Sequence, residues 1–251
     1  LKALARRGPG EGASPPAAAV PPPAPAPADA APLPHAAWRA ATASRRSAPA
    51  GPPGAGLGHA LAAVLIGAST GGPAALQQVL GALPAAFPVP VLLVQHMPAA
   101  FTPLFAHRLD GLCRIAVREA ADGDPLQPGV ALLAPGGRQM TVEAGPGGPR
   151  VRVREARPGE HYRPSVDLCF ASAAEALEGR VLAVVLTGMG EDGRRGAERL
   201  KARGAQVWAQ DRATSMIWGM PRAVEEAGLA DRVLPLERIG PGLARGAAGL
   251  G

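Results

Sequence analysis

Short aliphatic runs alternate with helix-like segments from residue 60 onward, and this alternation limits the fold more than any other feature of the sequence. The runs 63–66, 89–94 and 181–186 are typical of strands buried on both faces, and each precedes a segment with helical periodicity. The clearest predicted helices cover 73–83, 102–112, 194–203 and 221–227, with another capped by Ser165. This order predicts an α/β fold with a doubly wound, mainly parallel sheet and helices on both faces.

The alternation is interrupted between residues 126 and 154. Three strand-like stretches, 130–133, 139–143 and 151–154, follow one another without an intervening helix, and a glycine- and proline-rich turn at 145–148 separates the last two. We expect these stretches to form an antiparallel insertion in the parallel sheet.

The first 58 residues differ in composition from the rest of the chain. They contain 13 Pro and 19 Ala but few large apolar side chains. Such a segment favours extended conformations and cannot build a core. We therefore predict a disordered tail or interdomain linker over residues 1–58 and one folded domain over residues 59–251.

The charge distribution argues against a nucleic-acid-binding protein. The formal net charge is +6, but the Pro/Ala-rich segment carries +4 of it and the rest of the chain is nearly neutral. The sequence is also only 3% aromatic, so side chains that stack on bases are scarce. We expect no nucleic-acid partner.

Cysteine usage and hydropathy indicate a protein of a reducing compartment. Cys113 and Cys169 are the only cysteines, and both lie in apolar segments without metal-ligand spacing, so we expect buried thiols in the cytoplasm. No apolar run approaches the roughly 18 residues of a membrane span. We expect no membrane insertion, no metal and no cofactor.

Three loops that follow predicted strands are rich in glycine and polar residues. They are residues 67–72, 95–98 and 187–193. In a doubly wound sheet, loops at the carboxyl ends of strands form the functional site. The three loops can therefore converge on one edge of the sheet.

These loops supply the components of a serine hydrolase. Residues 67–71 fit the G-x-S-x-G pattern between a strand and a helix, which exposes Ser69 as a nucleophile. His96 is the candidate base and Asp192 the candidate orienting carboxylate. Backbone N–H groups of Thr70 and of the Met189–Gly190 turn are candidates for an oxyanion hole.

Other interpretations of the same loops remain open at this point. The first loop could cradle a phosphate in a non-catalytic binding module, and Asp192 could simply cap the helix that follows it. The chain order Ser…Asp…His of α/β-hydrolases would instead require His161 as the base, with Asp110 or Asp124. A standard α/β-hydrolase is disfavoured because it would need this other base and because Ser69 follows the first strand of the domain.

Several segments, in order along the chain, resemble the catalytic domain of the chemotaxis protein-glutamate methylesterase (CheB) family. The resemblance covers about residues 61–235. The matching segments are 66–73, 95–98, 120–123, 134–137, 163–167, 186–193, 209–211 and 219–221.

The resemblance implies a reaction as well as a fold. It implies hydrolysis of glutamate γ-methyl esters on the cytoplasmic domains of methylated chemoreceptors, with release of methanol, and often deamidation of receptor glutamines. The family's nucleophile, base and acid correspond to Ser69, His96 and Asp192, and the Met189 backbone corresponds to part of the oxyanion hole. A serine esterase with a different ester substrate is the alternative.

Two positions depart from the family pattern. Gln139 and Tyr162 stand where the family usually has histidine. We expect both departures to affect the rim of the site and not the triad. Family members also begin with a phosphorylatable receiver domain, whereas this chain has its Pro/Ala-rich segment there. Either the receiver domain is missing from this chain, which is then a fragment, or the protein is a stand-alone esterase.

Overall fold

A seven-stranded parallel sheet organises the part of the protein that the computed structural model describes, residues 61–247. The strands are β1 (Ala63–Ala68), β2 (Val91–Gln95), β3 (Ala116–Glu119), β4 (Val130–Leu133), β5 (Arg138–Glu143), β6 (Arg150–Glu155), β7 (Val181–Val185), β8 (Gln206–Gln210) and β9 (Arg232–Leu234). The main sheet has the order β3-β4-β2-β1-β7-β8-β9, and its neighbours all pair in parallel. The predicted fold class is confirmed.

Helices cover both faces of this sheet. They are α1 (Gly72–Gly81), α2 (Thr102–Leu112), α3 (Val166–Ala176), α4 (Arg194–Ala202), α5 (Met220–Glu226) and α6 (Leu236–Ala247). Buried side chains of α1, α2 and α6 form one core, and those of α3, α4 and α5 form the other. In β1, Leu65 faces the second core, whereas Val64 and Ile66 face the first. Successive side chains of a strand point to opposite faces, so the run of aliphatic residues at the start of β1 serves both cores.

The predicted antiparallel insertion is smaller than expected. Among the strands of the described residues, only β5 and β6 pair antiparallel, whereas β4 lies in the main sheet between β3 and β2. The sequence assignment of Val130–Leu133 to an antiparallel meander is therefore wrong. The physical reason is that all four residues of β4 are aliphatic and buried, with side chains in both cores, which suits an interior strand of a parallel sheet.

The carboxyl-terminal helix α6 was absent from the sequence prediction. Its segment contains Gly240, Pro241 and Gly242, which resemble a helix-breaking turn. In the structure, a Cβ atom at Gly240 would lie only 2.7 Å from the Ala82 side chain and the Val79 carbonyl oxygen. The glycine thus allows α6 to approach α1 closely, and tertiary packing overrides the poor helical propensity.

The sheet order brings three loops to its carboxyl edge. Strands β2, β1 and β7 are adjacent, and the chain leaves β1 toward one side of the sheet and later returns to its other side at β7. Such a change of direction creates a crevice at the carboxyl ends of the strands. Within the described range, none of the helices is both long and apolar enough to cross a membrane.

Candidate active site

Ser69 lies in the tight turn between β1 and α1. Its backbone N–H donates to the Thr187 carbonyl oxygen at 3.0 Å, and its own carbonyl oxygen accepts from the Gly72 N–H at 2.7 Å. Gly71 closes the turn with a positive φ of 82°, which glycine adopts without strain. Gly188 lies against the serine, because a Cβ atom at that position would be 2.8 Å from Ser69 Cβ.

His96 lies at the end of the strand next to the serine's. Its backbone N–H donates to the Ala68 carbonyl oxygen at 3.1 Å. The buried Gln95 side chain joins the two loops, since its Nε2 donates to the carbonyl oxygens of Ser69 at 3.0 Å and His96 at 3.1 Å. The sequence prediction gave Gln95 no role, although an amide ending an otherwise aliphatic strand was a signal that it serves the site.

Asp192 pairs with His96 from the loop after β7. The distance from His96 Nε2 to Asp192 Oδ2 is 2.7 Å, and the aspartate side chain is 1% exposed. The backbone N–H groups of Val166 and Asp167 and the Ser165 hydroxyl also donate to this carboxylate, at 2.7, 2.9 and 3.0 Å. The structure therefore brings the predicted base and the predicted carboxylate into direct contact.

The surroundings of Asp192 determine which nitrogen of His96 is basic. Burial raises the pKa of Asp192, but the hydrogen bonds from His96 and from two backbone N–H groups outweigh it, so the pKa lies below its ordinary value. The group is an ionised acceptor at neutral pH. In the neutral form of His96, Nε2 therefore carries the proton and Nδ1 carries the lone pair, which is the tautomer that a general base requires.

Asp192 is also a helix cap, but of a different helix from the one that follows it. Its carboxylate accepts hydrogen bonds from the first two N–H groups of α3, those of Val166 and Asp167. The next helix, α4, is capped by Asp167, whose Oδ1 accepts from the N–H groups of Gly193 at 2.8 Å and Gly196 at 2.9 Å. Burial raises the pKa of Asp167, with a further contribution from the nearby charge of Asp192. This reciprocal capping fixes the position of Asp192 relative to the sheet.

The predicted oxyanion-hole residues lie in two loops, Thr70 directly after Ser69 and Met189 and Gly190 in the loop after β7. Gly190, in the loop next to the serine, has a positive φ of 87°. Among the residues that the structure describes, the N–H groups of Thr70, Met189 and Gly190 have no acceptor. They are thus available to a ligand, as an oxyanion hole requires.

The model of the CheB methylesterase family matches residues 64–243. The chain belongs to the CheB methylesterase family. The match covers the central sheet, both helical layers and every residue of the predicted site.

The crystal structure of the CheB methylesterase catalytic domain from Thermotoga maritima is similar to this CheB-family chain. The sequence identity is 40% and the TM-score is 0.72, over 74% of this chain and 99% of that one. The shared fold confirms the architecture described above.

Curated relatives point to the same family. A protein-glutamate methylesterase/protein-glutamine glutaminase of Alkalilimnicola ehrlichii is 60% identical over 186 residues, which are 74% of this chain and 48% of that protein. One of the same description from Pseudomonas aeruginosa is 60% identical over 177 residues, 70% of this chain and 47% of that protein. The CheB-family chain thus spans about half the length of these relatives.

One of the two departures from the family pattern contacts His96, the predicted base, contrary to the expectation of a rim effect. The Tyr162 ring stacks on the His96 ring with 4.6 Å between centroids and 12° between planes. The other departure, Gln139, is fully buried and links the same segment, because its Nε2 donates to the Tyr162 carbonyl oxygen at 2.7 Å and its Oε1 accepts from the Ser165 N–H at 2.9 Å.

The residues that the Ser…Asp…His order would require do not lie together at the site. Asp110 accepts from the Val117 N–H at 2.9 Å, at the end of α2. Asp124 is buried in an ion pair with Arg118 near β3. His161 is exposed in the irregular segment before α3. This arrangement favours His96 with Asp192 over any pair that includes His161.

In the described part of the chain, metal-binding side chains do not cluster around the predicted triad. Within residues 61–247, no group of three or more His, Cys, Asp and Glu side chains has a metal-holding arrangement. Both cysteines are free and buried, as predicted. Burial raises the pKa of the Cys169 thiol, in α3, to about 12, so this thiol is not a competing nucleophile near neutral pH.

Proposed function

We propose that this chain is the catalytic part of a serine hydrolase that removes methyl groups from glutamate γ-methyl esters of chemoreceptors. The observation that carries the proposal is the hydrogen bond from His96 to the buried Asp192, on the loops next to that of Ser69. The names of the curated relatives support the choice of ester. We propose Ser69 as nucleophile, His96 as base and Asp192 as orienting acid.

The first half of the reaction forms an acyl-enzyme. Ser69 Oγ attacks the ester carbonyl carbon while its proton passes to His96 Nδ1. Asp192 stabilises the resulting imidazolium through Nε2. The carbonyl oxygen becomes an oxyanion that receives hydrogen bonds from the N–H groups of Thr70, Met189 and Gly190. The intermediate then expels the methoxy group, which takes the proton from His96 and leaves as methanol.

The second half releases the receptor. A water molecule gives a proton to His96 Nδ1 and attacks the acyl carbon, and the new tetrahedral intermediate expels Ser69 Oγ, which regains the proton. The product is a free glutamate side chain. The same sequence of steps on a glutamine side chain expels ammonia in place of methanol, so we propose deamidation as a second activity.

The partners of this activity are the cytoplasmic domains of methylated chemoreceptors, and the proposed location is the cytoplasm. We propose residues 59–251 as the catalytic domain and residues 1–58 as a tail or interdomain linker. Residues 1–58 lie outside the described part of the chain.

Methanol release from a receptor fragment that is radiolabelled at its methyl esters tests the proposed reaction. The wild-type chain should release labelled methanol, and Ser69→Ala should reduce the rate by several orders of magnitude. A wild-type chain that cleaves a small activated ester but releases no methanol would indicate a different ester substrate. A chain inactive on both, whose Ser69 does not react with a fluorophosphonate, would support the phosphate-binding alternative.

A further inference from the structure

The ring of Tyr162 covers one face of the proposed base. The two rings are almost parallel, at 12°, and their centroids are 4.6 Å apart. The His96 side chain retains only 15% of its exposed surface, whereas Tyr162 is 41% exposed. The tyrosine therefore lies between the imidazole and solvent and is not part of either core.

A base held by one hydrogen bond needs a second constraint. The contact with Asp192 restrains Nε2, but the imidazole can still turn about its side-chain bonds and change the direction in which Nδ1 points. Proton transfer requires Nδ1 within hydrogen-bond distance of the serine hydroxyl. A flat ring stacked on the imidazole restricts its plane and thereby supplies the missing constraint.

Tyr162 is itself held through its backbone and lies next to the loop of Gly190. Its carbonyl oxygen accepts a hydrogen bond from the buried Gln139 side chain. The same side chain accepts a hydrogen bond from the N–H of Ser165, the residue before α3. Its hydroxyl lies against Gly190, where a Cβ atom would be 2.7 Å from that oxygen. The ring is thus anchored through its backbone near α3, whose first turn also binds Asp192, and it borders the loop that carries the proposed oxyanion hole.

We propose that Tyr162 is a positioning residue that holds His96 with Nδ1 directed at Ser69. The proposal rests on the proposed function, because it assigns His96 the role of base. The stacked ring provides the effect and the hydroxyl is not required. Gln139 contributes indirectly by fixing the backbone from which the ring projects.

Three substitutions and one control test this role with a small activated ester that is too short to reach the rim. Tyr162→Ala removes the ring, Tyr162→Leu keeps an apolar side chain of similar reach, and Tyr162→Phe keeps the ring alone. Leu112→Ala is the control, since Leu112 is 54% exposed and lies at the end of α2 that points away from the carboxyl edge.

We expect Tyr162→Ala and Tyr162→Leu to lower kcat about five- to tenfold with KM within twofold, as expected for losing one aromatic pair. Tyr162→Phe and Leu112→Ala should retain the wild-type kcat. The low-field proton resonance of His96 Nε2–H is assigned by its absence from the spectrum of His96→Ala. It should broaden or disappear in Tyr162→Ala and Tyr162→Leu and persist in Tyr162→Phe.

Other outcomes overturn the proposal. An unchanged kcat in both Tyr162→Ala and Tyr162→Leu would remove any positioning role. An equal fall in Tyr162→Phe would assign the effect to the hydroxyl, and a change confined to KM would make the residue a substrate contact. Ser69→Ala measured in parallel separates the two proposals: if it stays active, the proposed function fails, whereas the Tyr162 outcomes bear on positioning alone.

Discussion

Asp192 has closely constrained surroundings in the proposed site. Its carboxylate accepts from His96, from two backbone N–H groups of α3 and from the Ser165 hydroxyl. A single side chain therefore orients the proposed base and caps a helix. Catalytic geometry and local stability are coupled at this residue, so a substitution should affect both.

Asp192→Asn should lower stability in a pH-dependent manner. The native pKa is below its unfolded value, so the ionised carboxylate stabilises the fold above about pH 4. That contribution disappears as the pH falls through the native pKa. We expect urea unfolding to show wild type more stable than Asp192→Asn by about 1–3 kcal/mol near pH 7, with the gap narrowing below pH 4. A gap that is constant from pH 3 to pH 7 would contradict this account.

At the level of secondary-structure elements, the sequence predicts those whose pattern is local. Helix α2 has its predicted bounds, 102–112, because a proline in its first turn and regular apolar spacing mark it. Helix α6 escaped prediction because its glycines serve contacts with α1 and with Trp208, which are distant in sequence. The stacking of Tyr162 on His96 escaped for the same reason: only the tertiary fold brings the rings together.

Gly240→Ala tests the close packing of α6 on α1. The added methyl group would meet the Ala82 side chain and the Val79 carbonyl oxygen at 2.7 Å. We expect a loss of about 1–3 kcal/mol in the free energy of unfolding, measured by urea denaturation. Gly111→Ala is the matched control, since a Cβ atom there meets nothing within 4 Å inside α2, and it should be neutral or stabilising by up to about 1 kcal/mol. Equal effects of the two changes would refute the packing argument.

On the scale of the whole molecule, the two cores extend from Ala63 to Leu243. The match to the family model begins and ends at almost the same residues, since it covers 64–243. The described domain therefore contains its own buried cores and all residues of the proposed site. The parallel sheet connects these parts, since its three central strands deliver Ser69, His96 and the loop of Asp192 to one edge.

Removal of residues 1–58 should leave the domain folded and active. The Pro/Ala-rich composition of this segment cannot bury enough apolar surface to offset its chain entropy. We expect the shortened protein to keep the full-length Tm within about 2 °C, because the free energy of unfolding should change by about 0.5 kcal/mol or less. It should also hydrolyse a small ester at the same rate. A lower Tm together with lost activity would move the domain boundary toward the amino terminus.

Covalent labelling of Ser69, the proposed nucleophile, tests the proposed triad most directly. A fluorophosphonate reacts with a serine only when a base activates it, and peptide mapping by mass spectrometry locates the adduct. We predict a single adduct on Ser69 in the wild-type protein and none in Ser69→Ala. Labelling should be at least about a hundredfold slower in His96→Ala. The control His161→Ala should be labelled at a rate close to that of wild type. Rapid labelling of His96→Ala with loss in His161→Ala, or an adduct on another serine, would contradict the assignment of Ser69, His96 and Asp192.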